Sequence, residues 1–223
     1  MTDHKKHSIN SHKLKLKVCG LTQLQQIQEL IPMKIDFYGF IFYEKSPRYV
    51  LNHLSLEQIS TINHNGKTGV FVNENIEKIT ETAETAKLNF IQLHGDENEN
   101  FIVALREQLN PEVRIIKVIR IGNQNPDELQ KTINDQPSAV NHLLFDTDSK
   151  AFGGTGKTFN WNLLNEIEIP LPYFLSGGIS EENIQNISLL HQKPFALDIN
   201  SKFETEPGIK DVKRIKMFKK TIE

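Results

Sequence analysis

Residues 143–161 read LLFDTDSKAFGGTGKTFNW. The segment opens with a short apolar run that stops at a carboxylate, Asp146, and continues into a loop that contains three glycines. Asn160 then precedes apolar residues at helical spacing and is expected to cap a helix. Glycines let a backbone approach an anion such as phosphate. A buried strand that delivers an acid to a glycine-rich loop is how many α/β proteins build a site, so we predict one here.

The same kind of unit repeats along the chain, with an apolar run of strand length followed by a segment of helical spacing. The predicted strands are residues 15–19, 37–42, 68–72, 90–94, 114–121, 142–146, 173–175 and 195–199. The predicted helices are residues 23–31, 75–86, 126–133, 180–190 and 211–222, with three further helical segments capped by Ser55, Asp96 and Asn160. Strict alternation predicts a parallel sheet, and eight repeats in 223 residues favour a (β/α)8 TIM barrel, an α/β fold.

We therefore expect a single barrel domain over residues 14–223, preceded by a polar tail at residues 1–13. The formal net charge is -2, which gives no reason to expect a nucleic-acid or membrane partner. A single cysteine allows no intrachain disulfide and suits a reducing, cytoplasmic location. No apolar run approaches the roughly 20 residues of a membrane span. Three histidines in the tail could bind a stray metal ion, but we expect a disordered tail and no functional metal.

Polar side chains stand where the predicted strands end, which is where barrels of this class carry their active sites. A thiol, an imidazole and carboxylates close four of the strands, an arginine lies in the loop after the second, and small polar residues follow the last two. These candidates are Cys19, His94, Asp146, Asp198, Arg48, Gly177, Gly178, Asn200 and Ser201.

Each of the main candidates also has a structural interpretation. Cys19 could be a small buried hydrophobe, the commonest fate of a free cysteine. Asp146 could be a helix cap or an ion-pair partner, and Arg48 a solvated surface residue. Asp198 could neutralise Lys17, which shares the strand parity of Cys19 and would need a counter-charge inside the barrel. The strand-end positions of Cys19 and Asp146 favour a site over these alternatives.

Seven motifs in order resemble those of the phosphoribosylanthranilate isomerase family: KVCGLT, GFIFYEKSPRYV, TGVFVN, IQLHGDE, LLFDTDSKAFGGTGKTFNW, FLSGGIS and DINSKFETEPGIKD. The resemblance covers residues 17–218. It implies an Amadori rearrangement in tryptophan biosynthesis, in which an aminoaldose phosphosugar becomes an aminoketose. That reaction has no redox step, so the resemblance implies neither a cofactor nor a metal.

The resemblance also implies roles for individual residues. Cys19 would be the general base, Asp146 the general acid and Arg48 the residue that binds the anthranilate part of the substrate. Asp198 would contact the substrate nitrogen. For the phosphate, the loops after the last strands are the usual place in barrels, and the expected contacts are Gly154, Gly177, Gly178, Asn200 and Ser201. The chain departs from the family pattern at Lys202, where glycine is usual.

Two other functions fit parts of the sequence. Residues 151–158, AFGGTGKT, nearly match the phosphate-binding loop of NTPases, although glycine is expected at the first position and the helix should begin at the lysine. A phosphosugar-binding barrel without catalysis is the second alternative, and the presence of both Cys19 and Asp146 argues against it. The sequence leaves open a role for His94, a second sugar isomerisation, and whether the chain is a monomer or a homodimer.

Overall fold

The strands close into a parallel barrel, as the alternation predicts. The computed structural model describes residues 13–148 and 158–223. Neighbouring strands pair in chain order, and the first also pairs with the eighth, which closes the ring. The strands are β1 Lys15–Val18, β2 Phe37–Ile41, β3 Lys67–Phe71, β4 Phe90–Leu93, β5 Arg114–Ile121, β6 His142–Thr147, β7 Tyr173–Leu175 and β8 Ala196–Ile199. The prediction of a polar tail falls almost wholly on residues outside the described ranges.

Helices follow the strands on the outside of the barrel. Those of α type in the described ranges are α1 Leu24–Leu30, α2 Leu56–Ser60, α3 Ile76–Thr85, α4 Glu99–Gln108, α5 Pro126–Asn134 and α6 Val212–Thr221. Ser55 caps α2 as predicted, because its hydroxyl accepts from the Gln58 N–H while the Gln58 side chain accepts from the Ser55 N–H. No helix in these ranges combines the length and the apolarity that a membrane crossing needs.

The predicted cap of the fourth helix was wrong. Asn98, not Asp96, caps α4, since its side-chain oxygen accepts from the Phe101 N–H at 3.0 Å. Asp96 lies in the preceding loop, where its backbone N–H donates to the Asn73 side chain and its carboxylate pairs with Arg120. The carboxylate therefore holds the loop to β5 instead of starting the helix.

Two predicted helices form as 3₁₀ segments in the described part of the chain. They are Trp161–Asn165, capped by Asn160 as predicted, and Ile184–Leu189, where Ser180 makes no cap. Buried residues recur at every third position through each segment and just beyond its end: Trp161, Leu164 and Ile167 in one case, and Ile184, Ile187 and Leu190 in the other. This spacing suits a helix of 3.0 residues per turn better than one of 3.6.

A short hairpin after β8 was not predicted. A 3₁₀ turn, Ser201–Phe203, leads into β9 Glu204–Glu206, which pairs antiparallel with β10 Ile209–Lys210. The hairpin precedes α6, and Asp211 caps that helix by accepting from the Arg214 N–H. The hairpin brings two charged residues, Glu204 and Lys210, back over the carboxyl end of the barrel.

The apolar residues divide into two clusters. The larger one fills the space between the sheet and the helices, and a smaller one lies inside the barrel and includes Phe37, Phe90 and Phe174. Because side chains alternate between the two sides of a strand, residues two apart share the interior. On β4 this series runs from Phe90 through Gln92 to His94, so the interior changes from aromatic to polar toward the carboxyl ends of the strands.

His142 is a buried histidine at the aromatic end of the barrel interior. Its ring packs against Phe90 and Phe174, and its Nδ1 has no hydrogen-bond partner among the described residues. Burial, followed by the positive charges of Arg114 and Lys15, lowers the pKa of His142 from 6.5 to about 4. The unfolded chain therefore binds a proton as the pH falls from 6.5 toward 4, whereas the folded chain does not.

We expect this difference to weaken the fold in acid. A pKa shift of this size corresponds to about 3 kcal/mol of unfolding free energy lost between pH 7 and pH 4. His142→Phe, which fits the aromatic surroundings and cannot titrate, should remove that part of the loss. Urea unfolding at pH 7, 5 and 4 measures it, with His191→Phe as the matched change at an exposed histidine. Parallel pH curves for the wild type and His142→Phe would contradict the assignment.

Candidate active site

Four polar residues of the sequence prediction lie together at the carboxyl end of the barrel. Cys19 directly follows β1, His94 directly follows β4, and Asp146 and Asp198 stand within β6 and β8. The closed, parallel arrangement brings all four strand ends to one mouth. Asp198 lies within electrostatic reach of both Cys19 and Asp146. The mouth thus holds a thiol and two carboxyl groups within a small volume.

Cys19 is buried against a glycine of the neighbouring strand. A Cβ atom on Gly39 would lie only 2.8 Å from Cys19 Sγ, so the thiol occupies the space that any larger residue at position 39 would need. Burial raises the pKa of the Cys19 thiol, while the positive charges of Lys17 and Lys210 act in the opposite direction. The two ammonium groups stabilise the ionised form of the thiol, whereas the negative charge of Asp198 acts together with burial against it.

Lys17 and Asp198 form an ion pair inside the barrel, which is the structural interpretation that the sequence left open for Asp198. Lys17 Nζ lies 2.9 Å from Asp198 Oδ2 and also donates to Gln92 Oε1 at 2.7 Å. Burial alone would lower the pKa of Lys17, but the negative charges of Asp198 and Cys19 together raise this pKa, so the lysine is charged. The other carboxylate oxygen, Asp198 Oδ1, is buried and has no partner within the described ranges. It is an acceptor that a ligand can use.

Asp146 is partly exposed at the end of β6. Its Oδ1 accepts from the Thr147 N–H at 2.8 Å, and its Oδ2 lies 3.4 Å from His94 Nε2. His94 Nδ1 in turn lies 3.0 Å from the side-chain nitrogen of Gln92. His94 and Gln92 share a parity in the sequence, but nothing in the sequence assigned them to Asp146.

Arg48 is buried in a charged cluster that the sequence did not reveal. Its Nε and Nη2 donate hydrogen bonds to the Glu204 carboxylate at 2.7–3.0 Å, and Lys210 Nζ donates to the same carboxylate at 2.6 Å. The interpretation of Arg48 as a solvated surface residue is therefore wrong. The motif FETEPGIKD contains both partners, but their pairing depends on the hairpin β9–β10.

The residues expected to bind phosphate follow β7 and β8. Gly177 has φ +83°, and a Cβ there would lie 2.4 Å from Thr147 Oγ1, so glycine is required by both conformation and space. Gly178 also has a positive φ, of +68°. Asn200 Oδ1 accepts from Lys210 Nζ at 2.8 Å, and Ser201 begins the 3₁₀ turn, in which the side chain of Lys202 is exposed.

The remaining predictions at this mouth concern residues 149–157. Gly154 and nearly all of the motif at residues 151–158 lie outside the described residues, so their predicted contacts stay predictions. The helical segment after this motif begins at Trp161. Within the described residues, no three side chains of the histidine, cysteine and acidic types are grouped to hold a metal ion.

The chain was compared with known families, proteins and structures. A family model described as N-(5'phosphoribosyl)anthranilate (PRA) isomerase matches residues 16–221. The N-(5'-phosphoribosyl)anthranilate isomerase of Parabacteroides distasonis is 38% identical over 207 residues, which cover 91% of this chain and 90% of that protein.

Solved structures agree with this match. The phosphoribosyl anthranilate isomerase of Thermotoga maritima superimposes with a TM-score of 0.75 at 33% identity, over 94% of this chain and 98% of the other. A phosphoribosyl anthranilate isomerase in complex with reduced 1-(o-carboxyphenylamino)-1-deoxyribulose 5-phosphate gives a TM-score of 0.72 at 30% identity, with coverages of 94% and 98%.

Proposed function

The chain belongs to the N-(5'-phosphoribosyl)anthranilate isomerase family of tryptophan biosynthesis, and we propose that Cys19 is the general base and Asp146 the general acid of its reaction. The observation that carries this proposal is the meeting of a buried thiol and a carboxyl group at one barrel mouth, with Asp198 in reach of both. Family membership argues against the NTPase alternative.

The reaction needs an acid first and a base second. Asp146 gives a proton to the furanose ring oxygen, and the C1–O bond breaks as the nitrogen lone pair forms a C1=N bond. The Cys19 thiolate then removes the proton from C2, and the electrons of that C–H bond form C1=C2 while the nitrogen recovers its lone pair. The resulting enolamine tautomerises to the ketone as C1 gains a proton and the hydroxyl on C2 loses one, and proton exchange with water returns Asp146 and Cys19 to their starting forms. Atoms and electrons balance, since substrate and product are isomers.

Two lysines assist the base, and Asp198 can serve the substrate nitrogen. Lys17 and Lys210 place positive charge beside Cys19 and stabilise the thiolate that must accept the C2 proton. The unpartnered Asp198 Oδ1 can accept a hydrogen bond from the substrate nitrogen, which supports the role that the sequence resemblance implied. The carboxylate also stabilises the positive charge that develops on this nitrogen as the ring opens.

The geometry of Arg48 supports binding of the anthranilate carboxylate. Glu204 takes Nε and one hydrogen of Nη2, which leaves the Nη1–Nη2 edge without a partner among the described residues. That edge is a second fork that can hold a carboxylate through two parallel hydrogen bonds. Glu204 fixes the guanidinium plane, so the fork is oriented before the substrate arrives.

Arg48→Ala should therefore mainly raise KM. Losing a charged hydrogen-bonded contact costs about 1.5–3 kcal/mol, or about 10- to 150-fold in KM. Arg48→Lys keeps the positive charge but offers no fork, so it should recover only part of the loss. Steady-state kinetics of both variants, with thermal unfolding to check the fold, provide the measurement. An unchanged KM for Arg48→Ala would show that Arg48 serves the Glu204 cluster alone.

The phosphate is proposed to bind between the loops after β7 and β8. Gly177 and Gly178 let the backbone approach an anion, and Asn200 and Ser201 begin the neighbouring loop. Gly154 remains a further proposed contact.

The assay that tests the whole proposal is turnover of N-(5'-phosphoribosyl)anthranilate, followed by the loss of anthranilate fluorescence. Turnover that depends on both Cys19 and Asp146 supports the assigned roles. Binding of the phosphosugar without turnover would favour the alternative of a non-catalytic barrel.

A further inference from the structure

A chain of polar contacts crosses the barrel from Asp198 to Asp146. It runs through Lys17, Gln92 and His94, with separations of 2.9 Å, 2.7 Å, 3.0 Å and 3.4 Å between successive side chains. The proposed acid–base mechanism assigns no task to Gln92 on β4 or to His94 directly after it. Both are buried, at 1% and 8% exposure, so each contact replaces one that water would have made.

Lys17 fixes the direction of the hydrogen bonds that Gln92 makes in this chain. An ammonium group only donates, so the atom of Gln92 that faces Lys17 must be the amide oxygen. The NH₂ group of Gln92 then faces His94 Nδ1 and must donate to it. Nδ1 therefore accepts and bears no hydrogen, which leaves the ring proton on Nε2, the atom nearest to Asp146 Oδ2.

We propose that Gln92 and His94 are positioning residues for the general acid, holding Asp146 through the neutral Nε2–H form of the imidazole. The inference rests on the proposed role of Asp146. The Thr147 N–H donates to Oδ1 and His94 Nε2 lies 3.4 Å from Oδ2, so the carboxyl group has a protein nitrogen beside each of its oxygens. Its plane is thereby set relative to the ring oxygen that it must protonate.

The charge of the positioning group matters as much as its direction. An imidazolium would place a positive charge 3.4 Å from Asp146 and favour the carboxylate, which has no proton to donate. A neutral imidazole orients the carboxyl group without that charge. Gln92 enforces this choice, because a proton on Nδ1 would point at the NH₂ group and forfeit the hydrogen bond. Lys17 lies on the other side of Gln92 from His94, and its positive charge also disfavours a positive charge on His94.

The first test measures directly which ring nitrogen of His94 carries the proton. Nitrogen-15 NMR of the labelled protein distinguishes an unprotonated Nδ1 from a protonated one, without any turnover. We expect an unprotonated Nδ1 and a protonated Nε2 for His94 near pH 7. A protonated Nδ1 in the wild type would overturn the proposal whatever the kinetics show. Because this measurement does not use the reaction, it stands even if Asp146→Asn were to remain active and the acid role were to fail.

The second test reverses the direction of the hydrogen bond between residue 92 and His94. Gln92→Glu has nearly the same shape and still accepts from Lys17, but it presents an oxygen to Nδ1, which must then carry a proton. We expect the NMR signal of His94 to change to a protonated Nδ1, and kcat to fall about 10- to 100-fold with little change in KM, the scale of a misplaced catalytic group. An unchanged kcat with a protonated Nδ1 would overturn the proposal.

A pair of changes at His94 separates positioning from packing. His94→Gln retains a side-chain N–H that can reach Asp146, whereas His94→Leu fills the space and donates nothing. We expect the glutamine variant to keep at least about tenfold more of kcat than the leucine variant, with His53→Gln as the matched change at an exposed histidine. Equal kcat values for the two His94 variants would overturn the proposal. If Gln92→Glu does not fold, this pair and the wild-type NMR signal decide the question.

Discussion

Cys19→Ala should lower kcat by at least about 100-fold, the scale of a lost general base, while the fold and the affinity for a product analogue stay intact. The reason is chemical, since Cys19 is the one thiol of the chain and the positive charges of Lys17 and Lys210 act on it. Alanine removes only the sulfur and leaves the contact with Gly39 relaxed. Single-turnover and steady-state fluorescence assays measure the loss, and near-normal turnover would contradict the assignment.

Alkylation gives an independent measure of the same group. The chain has one cysteine, so mass spectrometry reports Cys19 alone. Because burial raises the pKa of this thiol above its ordinary value of 9.0, the alkylation rate should still be rising with pH at pH 9. Bound product analogue should protect the sulfur. A plateau in the alkylation rate near neutral pH would show that Lys17 and Lys210 outweigh the burial.

The barrel could be predicted from sequence because its strands carry the strongest signal. Short apolar runs bounded by glycine or polar residues gave β5 and β7 their observed bounds, and the other strands agree to within one residue at each end. Helix type was harder to predict, because the segments after β6 and β7 bury every third residue. That spacing is close enough to the spacing of an α-helix to be mistaken for it. The choice of cap at Asn98 over Asp96 depended on which side chain faces the first helical N–H groups.

The site was predictable where a residue's position on its strand decides its place. Cys19, Asp146 and Asp198 meet at the mouth because all parallel strands end there. Contacts that depend on closure of the ring were harder to foresee. Lys17 and Asp198 are separated by 181 residues, and parity alone related them, whereas Arg48 and Glu204 are separated by 156 residues and depend on the unforeseen hairpin β9–β10.

The two ends of the barrel interior differ in composition, and we assign the aromatic end to stability and the polar end to function. The end with Phe90 and His142 is aromatic and keeps its histidine neutral. This lowers the free energy of unfolding only at acid pH. The other end places a buried ion pair, Lys17 and Asp198, where apolar residues would pack more simply. Breaking such a pair leaves an uncompensated charge, so the pair also constrains β1, which leads to Cys19, against β8, which carries Asp198. The polar end therefore has a defined geometry before substrate binds.

Asp146→Asn should bind substrate and yet lose about 100-fold or more of kcat, and Asp146→Ala should do no better. The amide is nearly isosteric but has no carboxylic proton to give to the ring oxygen. An aspartic acid in water is ionised at neutral pH, but the bound substrate carries a phosphate and a carboxylate, whose negative charges favour the proton-bearing form of a nearby carboxyl group.

The structure adds a second reason for the loss in Asp146→Asn and a way to separate it from the first. The carboxyl group receives the Thr147 N–H on one oxygen and faces His94 Nε2 with the other, whereas an amide has one acceptor oxygen and can satisfy only one of them. His94→Leu removes the second donor, so combining it with Asp146→Asn shows how much of the loss is positional. If the double variant is no more active than Asp146→Asn alone, the missing proton accounts for the defect.

Retention of most activity by Asp146→Asn would contradict the role of Asp146 as the acid. Asp198, whose Oδ1 is unpartnered among the described residues, would then become the first candidate.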